Sequence, residues 1–265
     1  MRDQALMDVA IAAAQAGGEV ILKAHRSRTQ GVLTESTPKG HNDYVTEVDR
    51  QAERQIISII SEIYPDHDIQ SEESPARESG SPYRWIIDPL DGTTNFIHGY
   101  PMFAASIGLA HENRMHLGVV FDPLRNELFK AEAGAGTWLN DKRIGVSGVR
   151  DLKQALLLTG FPFKAQEYLD KYLSIFKDLF KASSGIRRAG SASLDLAYVA
   201  CGRADAFFEM SLSPWDMAAG AVLVLEAGGG VADFAGGEDY IATGNILAGH
   251  PEVIAQMLPK IARHF

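Results

Sequence analysis

Residues 85–96 read Trp-Ile-Ile-Asp-Pro-Leu-Asp-Gly-Thr-Thr-Asn-Phe, and most of what the sequence says about fold and site starts from here. The three leading apolar residues predict a short buried strand. Pro89 fixes its own φ and pushes Asp88 toward an extended conformation, so we expect the strand to end at Asp88. Asp91 then lies in the turn beyond the strand, and the two carboxylates converge.

Two carboxylates at short distance repel each other unless a cation lies between them. Carboxylate oxygens, together with a backbone carbonyl such as that of Leu90, suit Mg²⁺ or Mn²⁺. The residues behind them, Gly92, Thr93 and Thr94, predict the start of a helix, where backbone N–H groups and the helix dipole favour an anion such as phosphate. The sequence therefore predicts that a divalent metal and a phosphate meet at one turn.

A purely structural role is the alternative for this segment. Asp-x-x-Asp-Gly-Thr can be an ordinary Asx turn with a helix cap, in which Asp91 or Thr93 only satisfies backbone donors. Over its whole length, however, the string at 85–96 resembles the first signature of the inositol monophosphatase family. That resemblance favours a site over a turn.

A second informative segment, at 213–220, reads Ser-Pro-Trp-Asp-Met-Ala-Ala-Gly and continues to Glu-Ala-Gly-Gly. Ser213 is a favourable N-cap, Pro214 a favourable first helical residue and Gly228 a favourable stop, so a helix is predicted between them. Asp216 falls in the first turn, where the helix dipole alone would explain a carboxylate. The segment also resembles the second signature of the same family, in which this aspartate binds metal.

The composition describes a globular chain. With 265 residues, 46% of them hydrophobic and 22% charged, the chain can form one large domain or two tightly joined subdomains. The formal net charge of −9 argues against a large basic face, so we expect no direct binding of nucleic acid. A single cysteine, Cys201, indicates a cytoplasmic protein. We find no signal sequence and no apolar run of membrane-spanning length, and expect no membrane contact.

Helical periodicity predicts a core-facing helix over 5–25, whereas 26–42 reads as a short hairpin or a mobile loop. Lys39 in that loop is equally a solvated charge or a contact to a metal-site water or an acid. Thr46 is the predicted cap of a second helix, and Asp49 resembles the acid of a capping box. The resemblance instead brings Asp49 close to the metal site, and both roles remain open.

Next comes a short strand that runs into Glu72 and Glu73, of which at most one should face the site. An antiparallel sheet is predicted from three later apolar runs, at 102–110, 115–122 and 127–132. Strands begin to alternate with helices near 147–152, which predicts a boundary between subdomains 1–148 and 149–265. A strand at 204–209 ends in Glu209, whose burial would require a polar partner.

The resemblance covers nearly the whole chain and is strongest to bacterial members of the family. It implies an α/β (α+β) fold, a layered αβαβα sandwich of the inositol monophosphatase and fructose-1,6-bisphosphatase type, dimeric, with the site between its subdomains. The implied metal ligands are Glu72, Asp88, the Leu90 carbonyl, Asp91 and Asp216. The implied catalytic residues are Glu72, Thr93 and Asp49. The implied substrate contacts are Asp91, Gly92, Thr93, Thr94, Gly190, Ser191, Ala192, Glu209 and Asp216.

The implied activity is hydrolysis of inositol 1-phosphate to inositol and phosphate with two or three Mg²⁺ ions, Mn²⁺ being a possible substitute, and with inhibition by lithium. Other sugar or nucleotide phosphates are alternative substrates. Some bacterial relatives are linked instead to transcription complexes on ribosomal RNA operons, which implies RNA polymerase or an elongation factor as a partner. The basic connection at 185–192, with Arg187 and Arg188, is a candidate contact surface, or only a solvated pair beside Asp195.

Overall fold

A computed structural model describes residues 2–29, 36–40, 43–163 and 165–265. The helices are α1 (Arg2–Thr29), α2 (Glu47–Ile63), α3 (Thr93–His98), α4 (Leu169–Ala182), α5 (Ala192–Ala200), α6 (Pro214–Glu226), α7 (Tyr240–Thr243) and α8 (Pro251–Ala262). The strands are β1 (Ser36–Gly40), β2 (Asp43–Thr46), β3 (Asp68–Ser71), β4 (Tyr83–Asp91), β5 (Ala104–His111), β6 (Arg114–Asp122), β7 (Glu127–Glu132), β8 (Gly136–Leu139), β9 (Lys142–Ile144), β10 (Leu156–Thr159), β11 (Gly185–Arg187), β12 (Ala206–Glu209), β13 (Gly230–Ala232) and β14 (Ile246–Gly249).

The larger sheet has seven strands in the order β3-β4-β5-β6-β7-β8-β9. Only β3 and β4 run parallel, and every later pair is antiparallel, which confirms the predicted antiparallel runs. Strand β5 is buried up to its last residue and β6 is buried from Leu117 onward. Helices α1 and α6 both contact these strands, as expected for a sheet that is covered on two sides.

The smaller sheet has five strands in the order β11-β10-β12-β14-β13. Strand β10 lies parallel to both of its neighbours, whereas β14 pairs antiparallel with β12 and β13. The edge strand Gly185–Arg187 corrects the sequence analysis, which treated 185–192 as an irregular connection. A three-residue strand is too short to show a period in the sequence.

The helices form three layers around the two sheets. On the outer face of the larger sheet, Ile56 and Ile60 of α2 pack with α1 against Ile87 and Ile107. Helices α5 and α6 fill the space between the sheets. On the far side of the smaller sheet, α4 and α8 cover a cluster that includes Phe208. The predicted αβαβα sandwich is therefore confirmed.

Helix α6 packs closely on the larger sheet because the strands have glycines at the contact. A Cβ atom added at Gly118 of β6 would lie 2.4 Å from the backbone oxygen of Ala219, and one at Gly108 of β5 would lie 2.9 Å from the Ala218 side chain. These two residues leave room for the helix backbone on the strands.

Helix α1 confirms the predicted core-facing helix and corrects one expectation. Its segment Ala5–Ser27 is long and apolar enough to cross a membrane by composition, although the sequence analysis found no such run. Ala10, Ala13 and Ile21 are nonetheless fully buried against the larger sheet. One face of α1 therefore belongs to the core.

The segment after α1 forms a hairpin where the structure describes it, since β1 and β2 pair antiparallel. The alternatives for the side chain of Lys39 lie outside the described residues. The larger sheet ends at Ile144 and the smaller one begins at Leu156, so the change of sheet falls around the segment where we predicted a boundary; division into subdomains stays a prediction.

Candidate active site

A β-bulge brings the two signature aspartates to one face of β4. Asp88 pairs with Ser106 of β5 and Asp91 pairs with Ala104, so three steps along β4 match two steps along β5. The extra residue places Asp88 and Asp91 on the same face, whereas residues three apart in a regular strand point to opposite faces. The prediction that the strand ends at Asp88 was therefore wrong: β4 continues through Pro89 to Asp91.

Asp216 completes a cluster of three carboxylates with this pair. Ligand oxygens of Asp88, Asp91 and Asp216 all lie within 4.8 Å of one another. Asp216 belongs to the first turn of α6, where its Oδ2 accepts a hydrogen bond of 2.7 Å from the backbone N–H of Ser213. The predicted N-cap and helix are thus confirmed, and the capping carboxylate is also a member of the cluster.

Without a cation, the ionised form of the carboxylates in this cluster is disfavoured. Burial, and then the nearby charges of Glu72, Asp91 and Asp216, raise the pKa of Asp88 well above its ordinary value. Burial also raises the pKa of Asp91, despite hydrogen bonds that act in the opposite direction. A bound divalent cation would offset both shifts by favouring the ionised carboxylates, and the donor set is the hard oxygen type that Mg²⁺ prefers. The residues present therefore fit a magnesium site.

The Asp91 carboxylate uses one of its two oxygens for structural contacts. Its Oδ2 accepts hydrogen bonds from the Ser191 hydroxyl at 2.6 Å, the Ser193 backbone N–H at 2.8 Å and the Ser193 hydroxyl at 2.5 Å. These donors lie at the start of α5, where a carboxylate is favoured. With Oδ2 fully used, Oδ1 is the oxygen that remains for the cluster.

Asp49 is the acid of the capping box, as one of the two interpretations predicted, and its other oxygen contacts Thr93. Its Oδ2 accepts from the backbone N–H of Thr46 at 2.8 Å and from the Thr46 hydroxyl, closing the capping box of α2. Its Oδ1 lies 2.9 Å from the hydroxyl of Thr93, which is also 3.0 Å from the Leu90 carbonyl oxygen. Burial raises the pKa of Asp49. Asp49 thus links the start of α2 to the start of α3.

Glu72 follows directly after β3, and its backbone N–H donates to the Ile87 carbonyl at 3.2 Å. Its side chain lines the same cleft as the cluster, although the three-carboxylate group found among the described residues does not include it. The neighbouring Glu73 directs its backbone N–H to Glu53 of α2.

The cluster lies in a cleft of about 390 Å³. Every predicted site residue except Asp49 lines it. The sequence analysis missed the opposite wall, formed by Gly160–Phe163 after β10 and by residues 210–212 after β12. Both segments follow the carboxyl ends of parallel strands, which is where clefts form in such sheets. That rule was the available signal.

The opposite wall holds Glu209 and Arg188. A Cβ atom on Gly160 would lie 2.0 Å from Oε1 of Glu209, so the absence of a side chain at 160 is what lets this carboxylate occupy its position. Arg188 lies at the cleft with its guanidinium 4.9 Å from the ring centroid of Phe163. Arg187 is exposed on β11. Arg188 is exposed as well, but it lines the cleft and Arg187 does not.

This geometry defines the class of the protein. It is a layered α/β protein with an acidic cleft at the edge of its two sheets. The sequence model of the inositol monophosphatase family matches residues 2–264. The Nus factor SuhB of Escherichia coli is 49% identical over 257 residues, covering 97% of this chain and 95% of that protein.

Two solved structures are similar over nearly the full length. The extragenic suppressor protein suhB from Bartonella henselae has a TM-score of 0.93 at 39% identity and covers 98% of this chain and 100% of that one. The inositol monophosphatase from Anabaena has a TM-score of 0.88 at 38% identity, with coverages of 99% and 97%. The chain belongs to the inositol monophosphatase family.

Proposed function

We propose that this protein is a Mg²⁺-dependent phosphomonoesterase that hydrolyses inositol 1-phosphate to inositol and phosphate. The observation that carries the proposal is the cluster of Asp88, Asp91 and Asp216 in a cleft beside the first turn of α3. Family membership supports a phosphatase, and the choice of inositol 1-phosphate rests on the family's name and on the carboxylate of Glu209 in the opposite wall of the cleft.

In this proposal the cluster, with Glu72 and the Leu90 carbonyl, holds two or three Mg²⁺ ions, and Mn²⁺ can replace them. When bound, the ions would lower the pKa of a water and neutralise charge on the phosphate and on the leaving oxygen. Glu72 and Thr93 hold that water in line with the phosphorus. The Thr93 hydroxyl is itself fixed by Asp49 and the Leu90 carbonyl, so its orientation is set before substrate arrives.

Substrate would be held from both sides of the cleft. Residues 92–94 at the start of α3 receive the phosphate through backbone N–H groups. Glu209 accepts hydrogen bonds from ring hydroxyls, and the backbone of Gly190, Ser191 and Ala192 borders the ring. The side-chain amide of Asn95 donates to the Ala189 and Gly190 carbonyls at 2.9 and 3.1 Å. These hydrogen bonds hold the loop at 189–190 next to α3.

The test is release of phosphate from inositol 1-phosphate with and without Mg²⁺, with other sugar and nucleotide phosphates as competitors and lithium as an inhibitor. We expect release that requires Mg²⁺ and is inhibited by lithium. If folded protein in excess Mg²⁺ releases phosphate from no ester, the proposal is wrong.

A second proposal concerns transcription, because relatives that are 49% identical over 97% of this chain bear the name Nus factor. In this reading RNA polymerase or an elongation factor is the partner, and the surface near Arg187 contributes the contact. Retention of RNA polymerase or elongation factors on the immobilised protein, compared with an Arg187→Glu variant, tests it. If wild type and the variant retain equally little, the transcription proposal is wrong.

Three further expectations belong to the phosphatase proposal. The protein forms a homodimer, which light scattering checks directly. It acts in the cytoplasm, which cell fractionation checks. Its site lies between subdomains 1–148 and 149–265, to which β4 and α6 contribute from opposite sides of the boundary.

A further inference from the structure

Helix α2 carries two buried carboxylates one turn apart. Asp49 is 0% exposed and Glu53 is 3% exposed. Residues four apart lie on the same face of a helix, so both side chains leave α2 in the same direction. Burial of a carboxylate is unfavourable unless it is hydrogen-bonded, and each of these two has partners outside its own helix.

One carboxylate contacts Thr93, and the other contacts the turn next to Glu72. Thr93 and Glu72 are the residues proposed to orient the attacking water. Asp49 accepts from the Thr93 hydroxyl at 2.9 Å. Glu53 accepts from the backbone N–H of Glu73 at 3.1 Å through Oε1 and from the Ser74 hydroxyl through Oε2. Glu53 is therefore hydrogen-bonded to the turn that immediately follows Glu72.

Glu72 is anchored on both sides of its backbone as a result. On the strand side, its own N–H donates to the Ile87 carbonyl of β4 at 3.2 Å. On the turn side, the next N–H along the chain donates to Glu53. Two anchors that flank one residue fix the direction in which its side chain leaves the backbone, and here that direction is into the cleft.

We propose that Glu53 is a positioning residue that fixes the Glu72 carboxylate relative to Thr93, so that α2 sets the geometry of both water-orienting groups. This inference rests on the proposed function and deepens it. Glu53 itself does not line the cleft and touches neither metal nor substrate. Its effect reaches the site through two hydrogen bonds and the peptide unit between Glu72 and Glu73.

The test compares Glu53→Ala with Glu53→Gln. Alanine removes both acceptors, so the turn loses its anchor and Glu72 is no longer held. Glutamine keeps an oxygen for the Glu73 N–H, and its amide can donate to the Ser74 hydroxyl, which is able to act as an acceptor. Loss of a residue that orients a metal ligand costs about 10–100-fold in metal affinity or activity.

Two readouts are needed, and one of them does not depend on activity. The first is Mg²⁺ binding by calorimetry, and the second is the Mg²⁺ concentration that gives half-maximal phosphate release. We expect Glu53→Ala to weaken Mg²⁺ binding and to raise half-activation by about 10–100-fold, and Glu53→Gln to stay close to wild type in both measurements.

Asp205 provides a matched control outside the cleft. It is a buried carboxylate with the same pattern of partners, one backbone N–H (Leu156, 2.6 Å) and one serine hydroxyl (Ser147, 2.5 Å). Asp205→Ala should lower thermal stability and leave Mg²⁺ binding unchanged. If Glu53 had only a structural role, Glu53→Ala would behave in the same way as this control.

The outcomes separate the inference from the function beneath it. If the wild type binds Mg²⁺ and Glu53→Ala binds it equally well, the inference about Glu53 is wrong and the proposed function stands. If the wild type neither binds Mg²⁺ nor releases phosphate, the inference and the proposed function are both wrong. If Glu53→Ala fails to fold, Ser74→Ala decides, because it removes one of the two hydrogen bonds. A smaller shift in the same direction supports the role of Glu53, and no shift overturns it.

Discussion

Replacement of Asp91 by asparagine should separate metal binding from folding, because the two carboxylate oxygens have different partners. The three donors of Ser191 and Ser193 all converge on Oδ2, and an asparagine carbonyl oxygen can accept in the same place. The amide nitrogen must then point at Asp88 and Asp216. An amide nitrogen donates hydrogen bonds to carboxylates but is not a ligand for Mg²⁺, which binds oxygen.

The magnitudes follow from this exchange. Loss of a direct ligand should cost more than the 10–100-fold that is usual for a residue that only orients a ligand, so we expect activity to fall by at least about 100-fold, or about 2.7 kcal/mol of transition-state stabilisation. The metal-free variant should be about as stable as metal-free wild type. It loses charge-assisted hydrogen bonds, worth roughly 1 kcal/mol more than neutral ones, but it also loses a buried charge that burial and Glu72 disfavour.

The assay is thermal unfolding with and without Mg²⁺, combined with phosphate release. At a Mg²⁺ concentration of 100 Kd, binding should stabilise the wild type by about 2.7 kcal/mol, which for a chain of this size raises Tm by roughly 5–10 °C. The variant should show no such rise.

Asp122→Asn is the matched control for this variant. Asp122 is also buried and accepts from three donors, the backbone N–H groups of Leu124 and Arg125 and the Arg125 guanidinium, but it lies outside the cleft. Its Mg²⁺ response should equal that of wild type. Near-normal turnover of Asp91→Asn, or an unchanged rise in Tm with Mg²⁺, would refute the assignment of Oδ1 to the metal. An unfolded variant would refute the claim that asparagine satisfies the α5 donors.

Three further variants test other parts of the structure. Gly160→Ala should displace the Glu209 carboxylate, which a new Cβ would meet at 2.0 Å; the lost hydroxyl contact should raise KM for inositol 1-phosphate about tenfold without affecting p-nitrophenyl phosphate, and an equal change for both esters would contradict the role of Glu209. Gly118→Ala should force α6 off β6 and lower the free energy of unfolding by more than about 3 kcal/mol in denaturant titrations, and a change within error would show that the close contact is not required. Burial lowers the pKa of His67 from its ordinary 6.5, and its Nδ1 accepts from the Trp85 indole at 3.1 Å, so the folded state favours neutral His67; stability is full above the ordinary pKa and is lost as pH falls through the folded value. His67→Phe should therefore lose less stability than wild type between pH 7.5 and pH 5, and parallel curves would contradict this.

Local signals in the sequence were sufficient for the starts of α2 and α6, whereas most of the residues that gather in the cleft were implied by the resemblance to the family. Thr46 and Ser213 are N-caps as predicted, because a cap depends on residues within one turn of it. The predicted site residues converge because the two signatures end up on facing elements, β4 and α6. Features that depend only on residues nearby in the chain were therefore predictable from the sequence.

Features that depend on a partner strand were not predictable from the sequence. The bulge in β4 exists only relative to β5, so neither Pro89 nor the apolar run before it shows that the strand continues to Asp91. The second oxygen of Asp49 is explained only by Thr93, which is 44 residues away along the chain. The opposite wall of the cleft, at Gly160–Phe163, follows the carboxyl end of a strand that pairs parallel with β12, and this position in the smaller sheet is what indicates its role.

The order in which the carboxylates occur along the chain has a consequence for synthesis. The ribosome makes Asp88 and Asp91 early, with nearly all of the larger sheet, whereas Asp216 belongs to α6 and emerges much later. A nascent chain can therefore complete the larger sheet and still lack the third acid of the cluster. The cleft is completed only when α6 docks on Gly108 and Gly118, so chains that end before α6 do not display the assembled cluster.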